Sequence, residues 1–232
     1  MAEAWSKGIR VWAAVLLCGV VITPRAVRAQ KEEEFARSEL AATAGVWVGD
    51  DFFRRTAQGP LGQFGAELRQ GDTPLVGVRY TYRLNRWLGI EGNLGFGSNS
   101  WTYLTGTVVG GQFIGPAFAI GGVTTIAYAG SAVFSLPTSG GRFTPFVSLG
   151  AGAVSYEPQS FTATVNGSPF FVLDLGTRFA ATVGAGIRIH TTRRLAFRLE
   201  VRDWAASIRE TLAGVSKTQH NLWIGGGLGL VY

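Results

Sequence analysis

Eight charged residues, Arg79, Arg83, Glu91, Arg178, Arg188, Arg198, Glu200 and Arg202, sit within runs where polar and apolar residues alternate. At that spacing, an extended chain directs all of them to the face opposite the apolar one. If this face lines a narrow enclosed interior, the charges must pair, because a buried charge without a partner is strongly destabilising. Two kinds of chemistry follow. One is a salt-bridged plug of Arg and Glu; the other is a polar passage whose cations favour anions. The plug is the reading adopted, since a small closed sheet fills its interior with side chains.

Other constellations are poor carriers of chemistry. His190 and His220 have no carboxylate or cysteine pattern around them that would build a metal site. Gly225-Gly226-Gly227 lies within an alternating run and opens no helix, so it lacks the context of a phosphate-binding loop and reads as close packing. No cofactor is expected. The single cysteine, Cys18, falls in the N-terminal apolar run, preceded by Leu17 where a lipoprotein signal wants a small residue.

The elements that must position the charged face follow a leader. Lys7 and Arg10 precede an apolar run from Val11 to Ile22, and Val27-Arg28-Ala29 offers a cleavage site, so residues 1–29 are expected to be a cleaved signal peptide. Removing them takes away four basic residues and one acidic residue from a formal net charge of +6, which leaves a mildly basic chain without cysteine. Lys and Arg are scattered along it, with no basic stripe of the kind nucleic acid requires. Residues 30–37, with Glu32, Glu33 and Glu34 in a row, read as a polar lead-in.

From residue 38 to 232 the chain alternates. Val76, Val78, Tyr80, Tyr82 and Leu84 oppose Gly77, Arg79, Thr81 and Arg83, and after Asn85-Arg86 the set Leu88, Ile90, Leu94 and Phe96 opposes Gly89, Glu91, Asn93 and Gly95. Eight strands are expected: Leu40 to Phe53, Leu75 to Leu84, Trp87 to Gly97, Val123 to Leu136, Phe143 to Tyr156, Leu173 to His190, Leu195 to Trp204, and His220 to Tyr232. Asp50-Asp51 interrupts the first. Short connections at Asn85-Arg86, Pro137 to Arg142 and Thr191 to Arg194 alternate with long ones at Arg54 to Pro74, Ser98 to Gly122, Glu157 to Val172 and Ala205 to Gln219, which are expected to be loops. Both histidines are expected near the short-turn rim.

Alternation alone suits a secreted or periplasmic soluble ligand-binding barrel equally well. The membrane is favoured by the low charge, 16% against 47% hydrophobic, by the small residues opposite the apolar face, such as Thr144, Ser148, Gly150 and Gly152, and by aromatics near strand ends. The last strand adds Leu222, Ile224, Leu228, Leu230 and Tyr232 on one face. This ending resembles the assembly signal of bacterial outer-membrane barrels, which closes on an aromatic residue. The hairpin from Tyr80 to Phe96, the strand from Phe143 to Ala153 and the run from Arg198 to Trp204 are similar to the small outer-membrane β-barrel domain, OmpA-like and OmpX-like in layout. The resemblance implies an all-β fold, an eight-stranded antiparallel up-and-down transmembrane β-barrel. It also implies an outer membrane of Gram-negative type, contact with its lipids, and a barrel-assembly machinery that reads Leu228, Leu230 and Tyr232. Some such barrels modify lipids with a His-x-Ser pair at the outer rim; none occurs here. The expectation is a monomeric, non-enzymatic barrel acting through its long connections, with a narrow small-solute pore as the alternative.

Overall fold

The strands form because side chains on the two faces of each strand meet opposite surroundings, lipid-like on one side and a polar interior on the other. In the computed structural model, residues 37–49, 51–59, 62–109, 112–136, 138, 142–157, 160–165, 168–174, 176–192, 194–210 and 215–232 are described. The expected signal peptide and most of the expected polar lead-in therefore lie outside the described residues. The described chain falls within one unit, Ala36–Tyr232.

Among the described residues thirteen strands follow in order: β1 Ser38–Val48, β2 Asp51–Gly59, β3 Gly62–Gln70, β4 Thr73–Arg83, β5 Leu88–Val109, β6 Gln112–Ile114, β7 Ala117–Ser135, β8 Phe143–Glu157, β9 Ser160–Val165, β10 Ser168–Asp174, β11 Thr177–His190, β12 Leu195–Glu210 and β13 Val215–Val231. Eight of them close a circuit. The antiparallel pairs run β1–β4, β4–β5, β5–β7, β7–β8, β8–β11, β11–β12 and β12–β13, and β13 returns to β1. At the seam Glu39 faces Val231 and Val48 faces Leu222, and the two chain ends exchange backbone hydrogen bonds, Ser38 N–H to Tyr232 C=O and Tyr232 N–H to Ser38 C=O, each 2.9 Å. Closure removes the unpaired edges that an open sheet would expose.

The short turns bind themselves. The Asn85 Oδ1 accepts the backbone N–H of both Trp87 and Leu88 at 2.8 Å, and the Thr192 hydroxyl accepts those of Arg194 and Leu195 at 3.3 and 3.1 Å. Both are the side-chain-to-backbone devices that Asn and Thr bring to turns.

At the opposite rim the structure corrects the expectation of loops. The 22 residues of β5 span roughly 70 Å of extended chain, whereas a transmembrane strand needs about 9–11 residues. Beyond that length β5 carries β3 on one side, with β2 paired to β3, and β6 and the start of β7 on the other. The upper parts of β12 and β13 pair with each other as far as Glu210 and Val215, and the end of β10 joins β12, with β9 paired to β10. Segments Arg54 to Pro74, Ser98 to Gly122, Glu157 to Val172 and Ala205 to Gln219 are thus largely hairpin. Their glycine and hydroxyl content reads as loop in one dimension; a neighbouring strand offering a ladder decides otherwise. The same effect divides the first expected strand into β1 and β2, and separates the start of the sixth as β10 from β11.

The faces are inverted relative to a water-soluble barrel. Leu149 is 61% exposed and Leu230 58%, while Arg188 and Arg198 are 1% exposed. Val76, Val78, Ile90, Phe134, Val147, Leu199 and Leu228 share the outward face. A soluble ligand-binding barrel would bury those residues and expose the arginines, so this distribution excludes that alternative.

Candidate functional site

The interior is built in two layers, and the lower one, nearer the short turns, holds the charges. Arg79 on β4, Glu91 on β5, and Arg198, Glu200 and Arg202 on β12 converge across the lumen. The Arg198 Nη1 donates to Glu91 Oε2 at 2.6 Å and the Arg202 Nη2 to Glu91 Oε1 at 2.6 Å. Arg79 reaches both carboxylates, with Nε 3.3 Å from Glu91 and Nη2 2.8 Å from Glu200. Arg202 also holds Glu200 through Nε at 2.8 Å, and Arg198 Nη2 stands 3.2 Å from it. The Thr81 hydroxyl donates to Glu91 Oε2 at 3.3 Å. Two carboxylates thus bind three guanidinium groups, each well suited to forked contacts.

A second cluster lies nearer the rim. Glu39 on β1 receives Arg83 Nη2 at 3.3 Å and Arg188 Nε at 3.0 Å, and Arg83 Nη2 lies 3.5 Å from His190 Nε2. Glu39 was not among the expected charges, because the sequence pattern starts the first strand at Leu40 and leaves Glu39 beside the acidic lead-in. A signal existed: six expected lumen arginines against two glutamates call for another acid. Arg178 is not brought to this group. It is half-buried near the other end of β11, ten residues and roughly 33 Å of strand from Arg188.

Glycines make room for the charges. A Cβ on Gly184 would stand 2.6 Å from Ser148 Oγ and 2.8 Å from Glu200 Oε1, and one on Gly225 would stand 2.5 Å from the Trp223 ring. The second contact bears out the reading of the glycine triplet as close packing.

Above the charges lies an aromatic layer that the sequence reading missed. Trp47, Trp101, Tyr156, Trp204 and Trp223 are all buried in the interior with Leu68. Trp47 and Trp204 rings stand 5.7 Å apart, and Trp101 meets Tyr156 edge-on at 5.6 Å, both within the range of favourable ring pairs. The Arg79 guanidinium lies 5.7 Å from the Trp223 ring and ties the two layers. The signal was phase: Trp204 alternates in step with Glu200 and Arg202, and Trp223 in step with Asn221. Between Arg79, Arg202, Trp204 and Trp223 a cavity of about 30 Å³ remains, room for roughly one water molecule.

The histidines separate. His190 ends β11 at the short-turn rim as expected, but His220 lies toward the far end of β13, because the last strand enters from the rim opposite the one where it ends. Its side chain faces outward, with Nδ1 2.8 Å from Asp203 Oδ2. Asp203 is opposite Leu222 and Val183 in register, so this pair interrupts the apolar outward face toward its upper edge. On the same face Gly92 and Gly130 leave an open groove of about 470 Å³ between Tyr80 and Tyr128.

Solved structures similar to this chain include outer membrane protein OprG from Pseudomonas aeruginosa, with 12% identity over 84% of this chain and 94% of that one, TM-score 0.49. Neisserial surface protein A is similar at 12% identity over 84% and 97%, TM-score 0.47, and the outer membrane protease OmpT from Escherichia coli at 7% identity over 84% and 97%, TM-score 0.45. No curated protein matches the chain. Residues 26–229 match the family described as outer membrane protein beta-barrel domain. With that match spanning most of its length, and with a closed eight-strand circuit that turns its apolar face outward, the chain belongs to the outer membrane protein beta-barrel domain family.

Proposed function

We propose that this protein is a closed, non-enzymatic barrel that serves the envelope through its projecting hairpins rather than through its lumen. The observation that carries this reading is the filled interior. Five paired charges and a layer of buried aromatic rings occupy the cross-section, and the cavity between the layers is about 30 Å³. A solute would have to displace either the tryptophans or the ion pairs, each held by burial. The strands that extend past bilayer length instead form a rigid scaffold for contacts outside the membrane.

Residues 1–29 direct export and are cleaved; the monomeric barrel sits in the outer membrane of a Gram-negative-type bacterium with lipids against its apolar face; and Leu228, Leu230 and Tyr232 are read by the assembly machinery. The exposed side of Leu228, Leu230 and Tyr232 supports the last of these, since all three are accessible from outside the wall. Single-channel recording in planar bilayers tests the central claim. Purified protein is expected to leave the bilayer silent, and stable discrete conductance steps would replace the plug with the small-solute pore.

A further inference from the structure

The charge layer does not balance. Among the described residues, four almost fully buried arginines, Arg79, Arg188, Arg198 and Arg202, stand against three glutamates, Glu39, Glu91 and Glu200, so the cations outnumber the carboxylates they touch. Arginine cannot relieve this by losing its proton. The excess is concentrated where Arg188 on β11 and Arg198 on β12 stand directly opposite each other in register, both 1% exposed. Like charges in that position repel. Their carboxylate contacts point to different clusters, Arg188 Nε to Glu39 and Arg198 Nη1 and Nη2 to Glu91 and Glu200. Left over are the buried Arg188 Nη2 and Arg198 Nε, neither with a hydrogen-bond partner.

We propose that the lumen binds a small inorganic anion, of the class of chloride, between Arg188 and Arg198. The site is built for it. Along the row perpendicular to the strands, the arginines are flanked by Thr144 beside Arg188 and Gly227 beside Arg198, so the two long side chains have small neighbours on either side. The face of the Phe146 ring lies 3.7 Å from the Arg198 guanidinium carbon and holds that group in place. An anion there accepts from both leftover donors, separates the two cations and offsets the excess positive charge; charge-assisted bonds to a desolvated anion are among the strongest available. Entry is from the short-turn rim, where the Arg83 side chain keeps 13% of its surface exposed and the exposed Arg142 and Arg194 attract anions. The anion is a structural ligand of the plug and needs no through-passage.

The test compares thermal unfolding of the purified, folded full barrel in chloride and in gluconate, a bulky organic anion, at equal ionic strength. Chloride is expected to raise the midpoint by a few degrees in a saturable manner, as for any ligand that binds only the folded state, and Arg188→Gln is expected to abolish the difference while Arg86→Gln, at an exposed turn residue, keeps it. Equal midpoints in the two salts would overturn the proposal, and so would a chloride response that survives Arg188→Gln. Should that variant not fold, crystals of the unaltered protein grown in bromide decide. An anomalous peak within hydrogen-bond distance of Arg188 Nη2 supports the site, and no peak there refutes it.

Discussion

Glu91 is the position where the sealed interior is most sharply testable. Its carboxylate accepts from Arg198 and Arg202 at 2.6 Å each, from Thr81 at 3.3 Å, and has Arg79 Nε at 3.3 Å, all at positions that are almost fully buried. Glu91→Gln keeps the shape and removes the charge, leaving Arg79, Arg198 and Arg202 to share Glu200 alone. Removing one partner from a buried ion pair costs about 3–5 kcal/mol, because the remaining charge stays desolvated. An exposed pair contributes about 0–1 kcal/mol. The two values separate a dry, plugged lumen from a wet one. Urea unfolding of the barrel in lipid vesicles, followed by tryptophan fluorescence, reads the difference, since Trp47, Trp101, Trp204 and Trp223 are buried within the interior and report its opening. Asp72→Asn, on an exposed residue, serves as the control, with an expected change within about 0.5 kcal/mol. Adding Arg202→Met to Glu91→Gln is expected to recover part of the loss, because the orphaned cation is then gone. If Glu91→Gln costs less than about 1 kcal/mol, water already screens the network and the plug argument fails.

Two further outcomes follow from the outward face. Leu199, 46% exposed on β12, is expected to lose about 2–4 kcal/mol of stability on Leu199→Arg in vesicles, the cost of a cation at bilayer depth; a neutral result would mean that this surface does not meet hydrocarbon. Tyr232 is 65% exposed at the closing seam, and only its backbone bonds Ser38. Tyr232→Ala is therefore expected to refold normally from urea in vitro yet to lower the folded fraction recovered from the outer membrane of expressing cells, measured by heat-dependent gel mobility, and unchanged recovery would remove Tyr232 from the assembly signal.

Much of this architecture was legible because a strand has a period of two and its faces cannot trade places without moving every side chain. The run from Leu75 to Phe96 shows it: Val76, Val78, Tyr80 and Ile90 share the outward face and Arg79, Thr81 and Glu91 the inward one, a grouping that their alternation requires. Glu39 and the tryptophans were harder. Glu39 borders an acidic segment, and only its register against Val231 and Thr81 carries it into the lumen. Trp47 and Trp204 lie 157 residues apart in sequence and meet only because closure brings β1 near β12.

Local alternation, the eight strands of the circuit, the turn residues and the sharing of a face were legible in one dimension. Each of these rests on chain geometry and neighbours a few residues away. The assembled barrel set how far the strands continue beyond bilayer length and placed the charges beneath an aromatic cap. It also sent His220 to the upper outward face with Asp203 and left Arg188 opposite Arg198. Those outcomes depend on shear and closure, in which one strand's register fixes the next around the whole circuit, and no local pattern contains that sum.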